Sequence, residues 1–300
     1  MSVCFFRGWR KKHERELTPE GGKVNTVMKI INTQVIADTQ NTRLVKLTIH
    51  APLIASRGRP GQFVILMVNE HGERIPLTLV DTDPKNQTIT IIVQELGYTS
   101  RLLAAMRAGD SLYSLVGPLG HATPSRKYGK ILMVGGGVGI AELYPVIRLL
   151  KTAGNTIYSI LGARTKDLLI LKDEVEKFSD KLFIATDDGT FGEKGFVSNI
   201  LERLLKEDKD FQVAYCVGPV PMMKVVANVT RPYNIKTWVS LNAIMLDGTG
   251  MCGCCRLTEG GKTRFCCVDG PDFDAHQVDF DELASRQKRF LDEEKIKNHE

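Results

Sequence analysis

Short runs of alternating or β-branched apolar residues fill the chain from residue 28 to residue 116. Runs of this length, separated by turn-forming residues, are typical of the strands of a small β-barrel. The segment Thr99–Arg107 predicts a short helix with Thr99 or Ser100 as its cap. The predicted strands are Val35–Ala37, Arg43–His50, Gln62–Val68, Ile75–Val80 and Thr88–Gln94, with turns at Gly58–Gly61, Glu70–Glu73 and Asp81–Pro84.

The pattern changes from residue 130 to residue 245, where apolar strands alternate with helical stretches. This alternation predicts a doubly wound parallel α/β sheet with helices on both faces. A charged, partly amphipathic helix is expected at 279–298. The predicted strands are Lys130–Val134, Thr156–Leu161, Leu182–Thr186 and Phe211–Val217, and the predicted helices run from the glycine loop to Ala153 and over Lys166–Phe178, Ser198–Lys206 and Pro221–Val229.

The amino-acid composition excludes some classes of protein but does not indicate a function. The 300 residues are 43% hydrophobic and 25% charged, as in an ordinary globular protein of about two domains. A net charge of +5 and the absence of a basic stripe argue against a nucleic-acid surface. No apolar stretch approaches the roughly 20 residues of a membrane span, so we expect a cytoplasmic protein. The expected divisions are a flexible polar extension at 1–27, a β-rich domain at 28–125, an α/β domain at 126–245, a cysteine segment at 246–275 and a charged tail at 276–300.

Five of the seven cysteines fall within sixteen residues, between Cys252 and Cys267. Such clustering in a large chain without secretory features points to metal rather than to disulfides. With Asp247, the spacing is D-x4-C-x2-C-x11-C, which is the plant-type [2Fe–2S] pattern with aspartate in the first cysteine position. A zinc site and ordinary buried thiols are the alternatives. The spacing leaves open whether Cys254 or Cys266 replaces one of these cysteines as a ligand.

A glycine loop, Gly135–Gly139, follows a predicted strand and opens a predicted helix. This context places backbone amides and a helix N-terminus where a pyrophosphate can bind. The match to G-x-G-x-x-G is imperfect because Ile140 stands in the last glycine position, so a plain strand-to-helix turn is the alternative. Arg164, after the next predicted strand, either contacts the nucleotide or lies in solvent.

The order of these parts resembles the ferredoxin–NADP reductase superfamily. It is most similar to the electron-transfer subunit of dihydroorotate dehydrogenase and to the small subunit of NADH-dependent reduced ferredoxin:NADP oxidoreductase, also called sulfide dehydrogenase. The resemblance covers about residues 28–275. The segments that carry it are Arg74–Thr78, Gly117–Gly120, Gly135–Ala141 and the stretch from Asp247 to Pro271.

The resemblance implies an FAD-binding β-barrel, a nicotinamide-nucleotide domain and a C-terminal [2Fe–2S] segment. Pro76–Thr78 match the last three positions of the family's R-P-I-S motif, although Arg74 lies one residue before the arginine of that motif. No acid–base catalytic residue is implied. The implied FAD contacts are Arg74, Pro76, Leu77, Thr78, Val93, Gln94, Thr99 and Ser100; the nucleotide contacts are Gly135, Gly136, Gly137, Gly139, Asp187 and Gly218; the cluster ligands are Asp247, Cys252, Cys255 and Cys267.

The implied function is electron transfer between NAD(P)H, FAD and a [2Fe–2S] cluster, to or from a partner subunit. The expected partner is a larger flavin and [4Fe–4S] subunit, with ferredoxin reached through it. Aspartate at Asp247 favours the ferredoxin:NADP oxidoreductase type, since the dihydroorotate type has four cysteine ligands. An electron-transfer subunit of dihydroorotate dehydrogenase and a redox-sensing cluster protein without turnover are the alternatives. The sequence leaves NADH and NADPH undecided.

Overall fold

The computed structural model describes residues 28–40 and 42–292. The extension predicted at 1–27 and the last residues of the predicted C-terminal helix lie outside these ranges. Within them, no helix has both the length and the apolar character needed to cross a bilayer. The N-terminal half contains β1 Ile30–Thr39, β2 Thr42–His50, α1 Pro52–Arg57, β3 Phe63–Met67, β4 Ile75–Thr78, β5 Asp81–Asp83, β6 Thr88–Gln94, α2 Tyr98–Ala105 and β7 Ser114–Leu119.

The seven strands of this half form two antiparallel sheets, in the orders β1-β2-β6-β5 and β4-β3-β7. Alternation in β2 and β6 sends one face of the larger sheet inward, where Val45 pairs with Val93 and Leu47 with Ile91. Strand β3 adds further residues to the same apolar core. The predicted barrel is therefore found as two sheets around a shared core, and its closure stays a prediction.

The predicted cap of α2 is wrong. The helix begins at Tyr98 with Gly97 as its N-cap, one residue earlier than expected. Ser100 lies inside the first turn, and its hydroxyl accepts hydrogen bonds from the amides of Leu96 and Gly97, both at 2.9 Å. Thr99 is buried and donates to Glu73 Oε2 at 2.6 Å. The turn expected at Asp81–Pro84 also differs, because Asp81–Asp83 pair with β6 as strand β5.

The second half begins with a strand and alternates strands with helices. Two short 3₁₀ turns, Lys166–Leu168 and Arg231–Tyr233, join these elements. The elements are β8 Lys130–Gly136, α3 Gly139–Thr152, β9 Thr156–Ala163, α4 Lys172–Glu176, β10 Lys181–Thr186, β11 Glu193–Lys194, α5 Val197–Glu207, β12 Val213–Val217, α6 Val220–Thr230, β13 Lys236–Ser240, β14 Arg256–Glu259, β15 Lys262–Phe265, α7 Cys266–Asp269, β16 Asp272–Asp274 and α8 Phe280–Gln287.

The predicted parallel sheet is present in the order β11-β10-β9-β8-β12-β13-β16, with only β16 antiparallel to its neighbour. The central strand β8 explains the apolar run in the sequence. Ile131 and Met133 face the layer of α3, whereas Leu132 and Val134 face the layer of α5 and α6. All four side chains are fully buried. A strand covered on both faces needs a continuous apolar sequence, and β8 has one.

Two helix predictions in this half are wrong in extent. The stretch Lys166–Phe178 is broken into a 3₁₀ turn and the five-residue helix α4, because Leu171 adopts a left-handed φ of 53°. Leu168 and Ile170 are both buried at this break, an arrangement that one helical face does not accommodate. The helix predicted over 279–298 is interrupted, because α8 ends at Gln287 and a turn follows at 288–290; residues 293–298 lie outside the described ranges.

The strand order creates a switch point in the parallel sheet. From β8 the chain moves outward through β9 and β10, then returns to β12 and continues to β13 on the other side. The chain therefore leaves the adjacent strands β8 and β12 in opposite directions. In open α/β sheets, ligands bind beyond the carboxyl ends of the strands at such a point.

Candidate functional site

A cavity of about 980 Å³ opens at this switch point, between the parallel sheet and the antiparallel sheets. The loop Gly136–Gly139 after β8 and the loop Val217–Pro219 after β12 form one wall. Pro76–Thr78 of β4 and Gln94 of β6 form the opposite wall. The volume is at the upper end of the range for small-molecule and cofactor sites, about 300–1,000 Å³. The two halves of the chain thus share one site.

Most of the sequence-predicted cofactor residues lie in the wall of this cavity, and five do not. Val93 is 2% exposed and points into the core of the antiparallel sheets, because its neighbour Gln94 takes the cavity face of the strand. The cofactor contacts of all the sequence-predicted residues stay predictions. The cavity wall contains Pro76, Leu77, Thr78, Gln94, Gly136, Gly137, Gly139, Arg164, Asp187 and Gly218, whereas Arg74, Val93, Thr99, Ser100 and Gly135 lie outside it.

The glycine loop brings α3 close to the β12 loop. A Cβ on Gly139 would lie 2.7 Å from the Val217 carbonyl oxygen and 2.9 Å from Gly218 Cα. These are backbone atoms, which cannot move aside as a side chain can. Gly137 differs, since it has a left-handed φ of 56° and open space around it. Glycine is thus required at Gly139 for close approach and at Gly137 for conformation.

Glu142, in the first turn of α3, is a cavity residue that sequence reasoning missed. Its carboxylate accepts hydrogen bonds from the hydroxyls of Thr78, at 3.1 Å, and Ser240. Burial raises the pKa of this carboxyl from 4.5 to about 7; the two hydroxyl donors oppose the rise and the nearby Asp272 adds to it. A signal was available, because an acidic residue is unusual where a helix N-terminus is expected to meet a pyrophosphate.

The cysteine segment arranges the four predicted cluster ligands as two pairs. Asp247 Oδ2 accepts a hydrogen bond from the amide of Cys252 at 2.9 Å. The Sγ atoms of Cys255 and Cys267 lie 3.2 Å apart, too far for a disulfide bond. Two amides also point at sulfur: Cys254 N lies 3.5 Å from Cys252 Sγ, and Cys267 N lies 3.4 Å from Cys255 Sγ.

Local backbone chemistry explains this arrangement. The loop that carries Asp247 and Cys252 turns on Gly248, Gly250 and Gly253, whose φ values are 78°, 83° and 63°. Residues with side chains rarely adopt such conformations. The hairpin β14–β15 then returns the chain, and the short helix α7 places Cys267 beside Cys255.

Cys266, next to Cys267, is directed elsewhere. Its side chain is fully buried, and its thiol donates to the Leu241 carbonyl at 3.0 Å. Cys254 is partly exposed, and its carbonyl oxygen accepts a hydrogen bond from Arg286. Neither thiol shares the close sulfur contact of the Cys255–Cys267 pair.

The donor atoms of the cysteine segment suit a cluster rather than a single ion. Within 28–40 and 42–292, no three His, Cys, Asp or Glu side chains converge as a single metal ion would require. A [2Fe–2S] cluster instead takes two protein ligands on each iron, so it requires pairs. The Cys255–Cys267 sulfur pair and the amides aimed at sulfur agree with that requirement, whereas Asp247 contacts Cys252 through the backbone amide of that residue.

The cluster segment adjoins the cavity. Met245 lines the cavity, and Asp247 follows two residues later, so their Cα atoms lie within about 7.6 Å. Arg74, which precedes β4, also contacts the cysteine segment by donating to the Leu246 carbonyl at 3.5 Å. On the other side, β16 pairs with β13 of the parallel sheet. The cysteine segment is therefore packed against both halves of the fold and is not a free C-terminal tail.

Two family models match the chain. Residues 133–228 match the oxidoreductase NAD-binding domain. Residues 242–279 match the iron–sulfur cluster binding domain of dihydroorotate dehydrogenase B. The first range contains the glycine loop and the second contains all four members of the ligand pairs.

The chain is also similar to proteins along most of its length. It is 48% identical over 248 residues to a Thermotoga maritima homologue of the dihydroorotate dehydrogenase B (NAD(+)) electron transfer subunit, covering 83% of this chain and 87% of the relative. It is 34% identical to that subunit from Geobacillus thermodenitrificans, covering 84% and 97%. A chain of the NADH-dependent reduced ferredoxin-NADP oxidoreductase structure superposes with a TM-score of 0.85 at 43% identity, covering 93% and 98%.

Proposed function

Because the chain belongs to the family of dihydroorotate dehydrogenase B electron transfer subunits, we propose that it passes electrons between a nicotinamide nucleotide and a partner protein. It does so through FAD and a [2Fe–2S] cluster. The observation that carries this proposal is the adjacency of the two sites, since the wall of the cavity continues within two residues into the loop of Asp247. Electrons that enter the cavity thus have a short route out.

The cavity walls fit a flavin and a nucleotide side by side. The two antiparallel sheets are the proposed FAD-binding barrel of the family, with Pro76–Thr78 and Gln94 against the ring. Gly137 leaves open space in the proposed nucleotide wall, which Gly136, Gly139 and Gly218 also form. Arg164 and Asp187 line the cavity and are the proposed contacts to polar groups of the nucleotide. FAD supplies the chemistry of accepting two electrons together and releasing them one at a time. The protein orients both molecules and excludes water from between them.

The proposed cluster ligands are the two pairs, Asp247 with Cys252 and Cys255 with Cys267. The aspartate favours the ferredoxin:NADP oxidoreductase type over the dihydroorotate type. We infer that the partner is a larger flavin and [4Fe–4S] subunit, with ferredoxin reached through it. If a pull-down with this chain captures a dihydroorotate dehydrogenase, the chain is instead the electron-transfer subunit of that enzyme. A cytoplasmic location stays a prediction.

The direct test is a preparation of the full chain under anaerobic conditions. We expect bound flavin, about two irons per chain and bleaching of the flavin by NADH or NADPH, followed by reduction of a one-electron acceptor. Side-by-side titration with the two nucleotides gives the preference that the sequence leaves open. Iron without nucleotide-driven reduction would favour the redox-sensing alternative, and zinc without colour would contradict the proposal.

Asp247→Cys is expected to lower the midpoint potential of the cluster, by an amount on the order of tens of millivolts. The softer thiolate donates more electron density to iron than a carboxylate does, and so stabilises the oxidised state. Redox titration followed by electron paramagnetic resonance measures the change. Asp269→Asn is the matched control, because this carboxylate lies in the same segment and accepts a hydrogen bond from Phe265 N. An unchanged potential in Asp247→Cys would count against Asp247 as a ligand.

A further inference from the structure

Two partly buried carboxyl groups, Glu142 at the cavity wall and Asp272 behind it, lie close together with a serine hydroxyl between them. Glu142 accepts from Ser240, whose hydroxyl also lies within reach of Asp272. Asp272 is held by the hydroxyls of Thr123, at 2.9 Å, and Tyr215. These groups come from α3, β13, β16 and β12 and from the segment before β8. Only Glu142 and Ser240 among them line the cavity itself.

In the part of the chain that the structure describes, no cationic side chain neutralises Glu142 or Asp272. The titratable groups that face Glu142 are Asp272 on β16, Tyr215 on β12 and Cys266 on α7. The nearest arginine on its own helix, Arg148, is paired with Asp81 at 2.7 Å. Among the residues that the structure describes, no Lys, Arg or His forms an ion pair with either carboxyl group. The pKa of Glu142 therefore responds to any other charge that enters the cavity.

We propose that Glu142 takes up a proton when electrons enter the cavity and returns it when they leave. This inference rests on the proposed function. The hydride that leaves a reduced nicotinamide carries two electrons and one proton, so it adds one negative charge to the site. One proton from water then binds the Glu142 carboxylate. When the two electrons pass singly to the cluster, the proton of the hydride and the proton of Glu142 both return to water. The net release is one proton per nucleotide oxidised, as the balance requires.

The surroundings suit such a role. A carboxyl group whose pKa is about 7 changes its ionisation near neutral pH, and an added negative charge nearby raises that pKa further. Because Glu142 lines the cavity, a proton reaches it without crossing the core. Thr78 adds a link to β4, so the carboxylate contacts both walls of the site. A residue that served only to join the two walls would need no ionisable group.

The first experiment tests the ionisation without any cofactor. A carboxyl group with a raised pKa in the folded state stabilises the fold fully below its unfolded pKa, and that contribution is lost as pH rises from about 4.5 to about 7. Relative to the Glu142→Gln variant, the folding equilibrium constant of the apoprotein should therefore fall by up to about three-hundredfold across this window. Glu70→Gln, at an exposed loop position, is the matched control and should show no such trend.

The second experiment measures the coupling in the loaded protein. One proton taken up with two electrons changes the flavin midpoint potential by about 30 mV per pH unit. Between pH 6 and pH 8, Glu142→Gln should make the slope of potential against pH shallower by up to that amount, and Glu142→Asp should restore part of it. A role in packing alone would shift flavin affinity or the potential at every pH and leave the slope unchanged. Equal slopes in the flavin-loaded wild type and Glu142→Gln overturn this inference alone, whereas a chain that binds no flavin overturns the proposed function with it.

Discussion

Cys267→Ser should leave the chain without its cluster, whereas Cys266→Ser should keep it. The two cysteines are adjacent in sequence, yet their side chains have different partners. Cys267 Sγ lies 3.2 Å from Cys255 Sγ, and its amide is directed at the same sulfur. Cys266 is fully buried and donates to the carbonyl of Leu241. A serine hydroxyl can replace that donor, but it is a poor substitute for a thiolate on iron.

Iron analysis and visible absorption of the anaerobically prepared variants measure this difference. We expect about two irons per chain in Cys266→Ser and close to none in Cys267→Ser. Cys254→Ser is expected to behave like Cys266→Ser, because Cys254 is partly exposed and outside both pairs. Flavin content and its reduction by the nucleotide should survive in all three variants, which shows that each still folds. A full cluster in Cys267→Ser, or its loss in Cys266→Ser alone, would contradict the proposed ligand set.

The features that the sequence predicted correctly depend on local periodicity. Strand β6 has the predicted bounds Thr88–Gln94, because a run of β-branched residues forms it and turn residues precede it. The strand, glycine loop and helix around Gly135–Gly139 are also present, since an apolar run, a glycine cluster and an amphipathic stretch lie in direct succession. The cysteine spacing also identified the segment that matches an iron–sulfur cluster binding domain, residues 242–279, because the cysteines are close in sequence. The individual ligands stay predictions.

The features that the sequence did not predict depend on contacts between distant segments. Thr78, Glu142, Ser240 and Asp272 belong to four strands or helices, and no periodicity connects them. The pairing of β16 with β13 joins the cluster segment to the parallel sheet through only three residues, too few to give a strand pattern. The sequence predicts flavin contacts at both Val93 and Gln94, but neighbouring side chains on a strand point to opposite faces, and of these two only Gln94 lines the cavity. Adjacent positions on this strand thus belong to the cavity wall and to the core, and the sequence pattern does not tell which is which.

Replacing Gly139 by alanine should strongly weaken nucleotide binding. The added Cβ would lie 2.7 Å from the Val217 oxygen and 2.9 Å from Gly218 Cα, closer than real Cβ atoms approach other atoms. Either α3 or the β12 loop must move, and both line the side of the cavity where we propose that the nucleotide binds. Overpacking of this kind costs about 1–3 kcal/mol, and we expect the KM for the nucleotide to rise tenfold or more, which corresponds to about 1.4 kcal/mol.

Flavin reduction followed by stopped-flow absorption, at a series of nucleotide concentrations, measures this effect. Gly97→Ala is the matched control, because a Cβ there meets nothing within 4 Å and the φ of −116° suits any residue. Since Gly139 lies at the nucleotide loops rather than on the antiparallel sheets, the flavin content of Gly139→Ala should remain close to that of the wild type. An unchanged KM in Gly139→Ala would mean that the nucleotide does not bind against the α3 loop. In that case Gly136, Gly137 and Gly218 would lose their proposed role as well, because the same loops carry them.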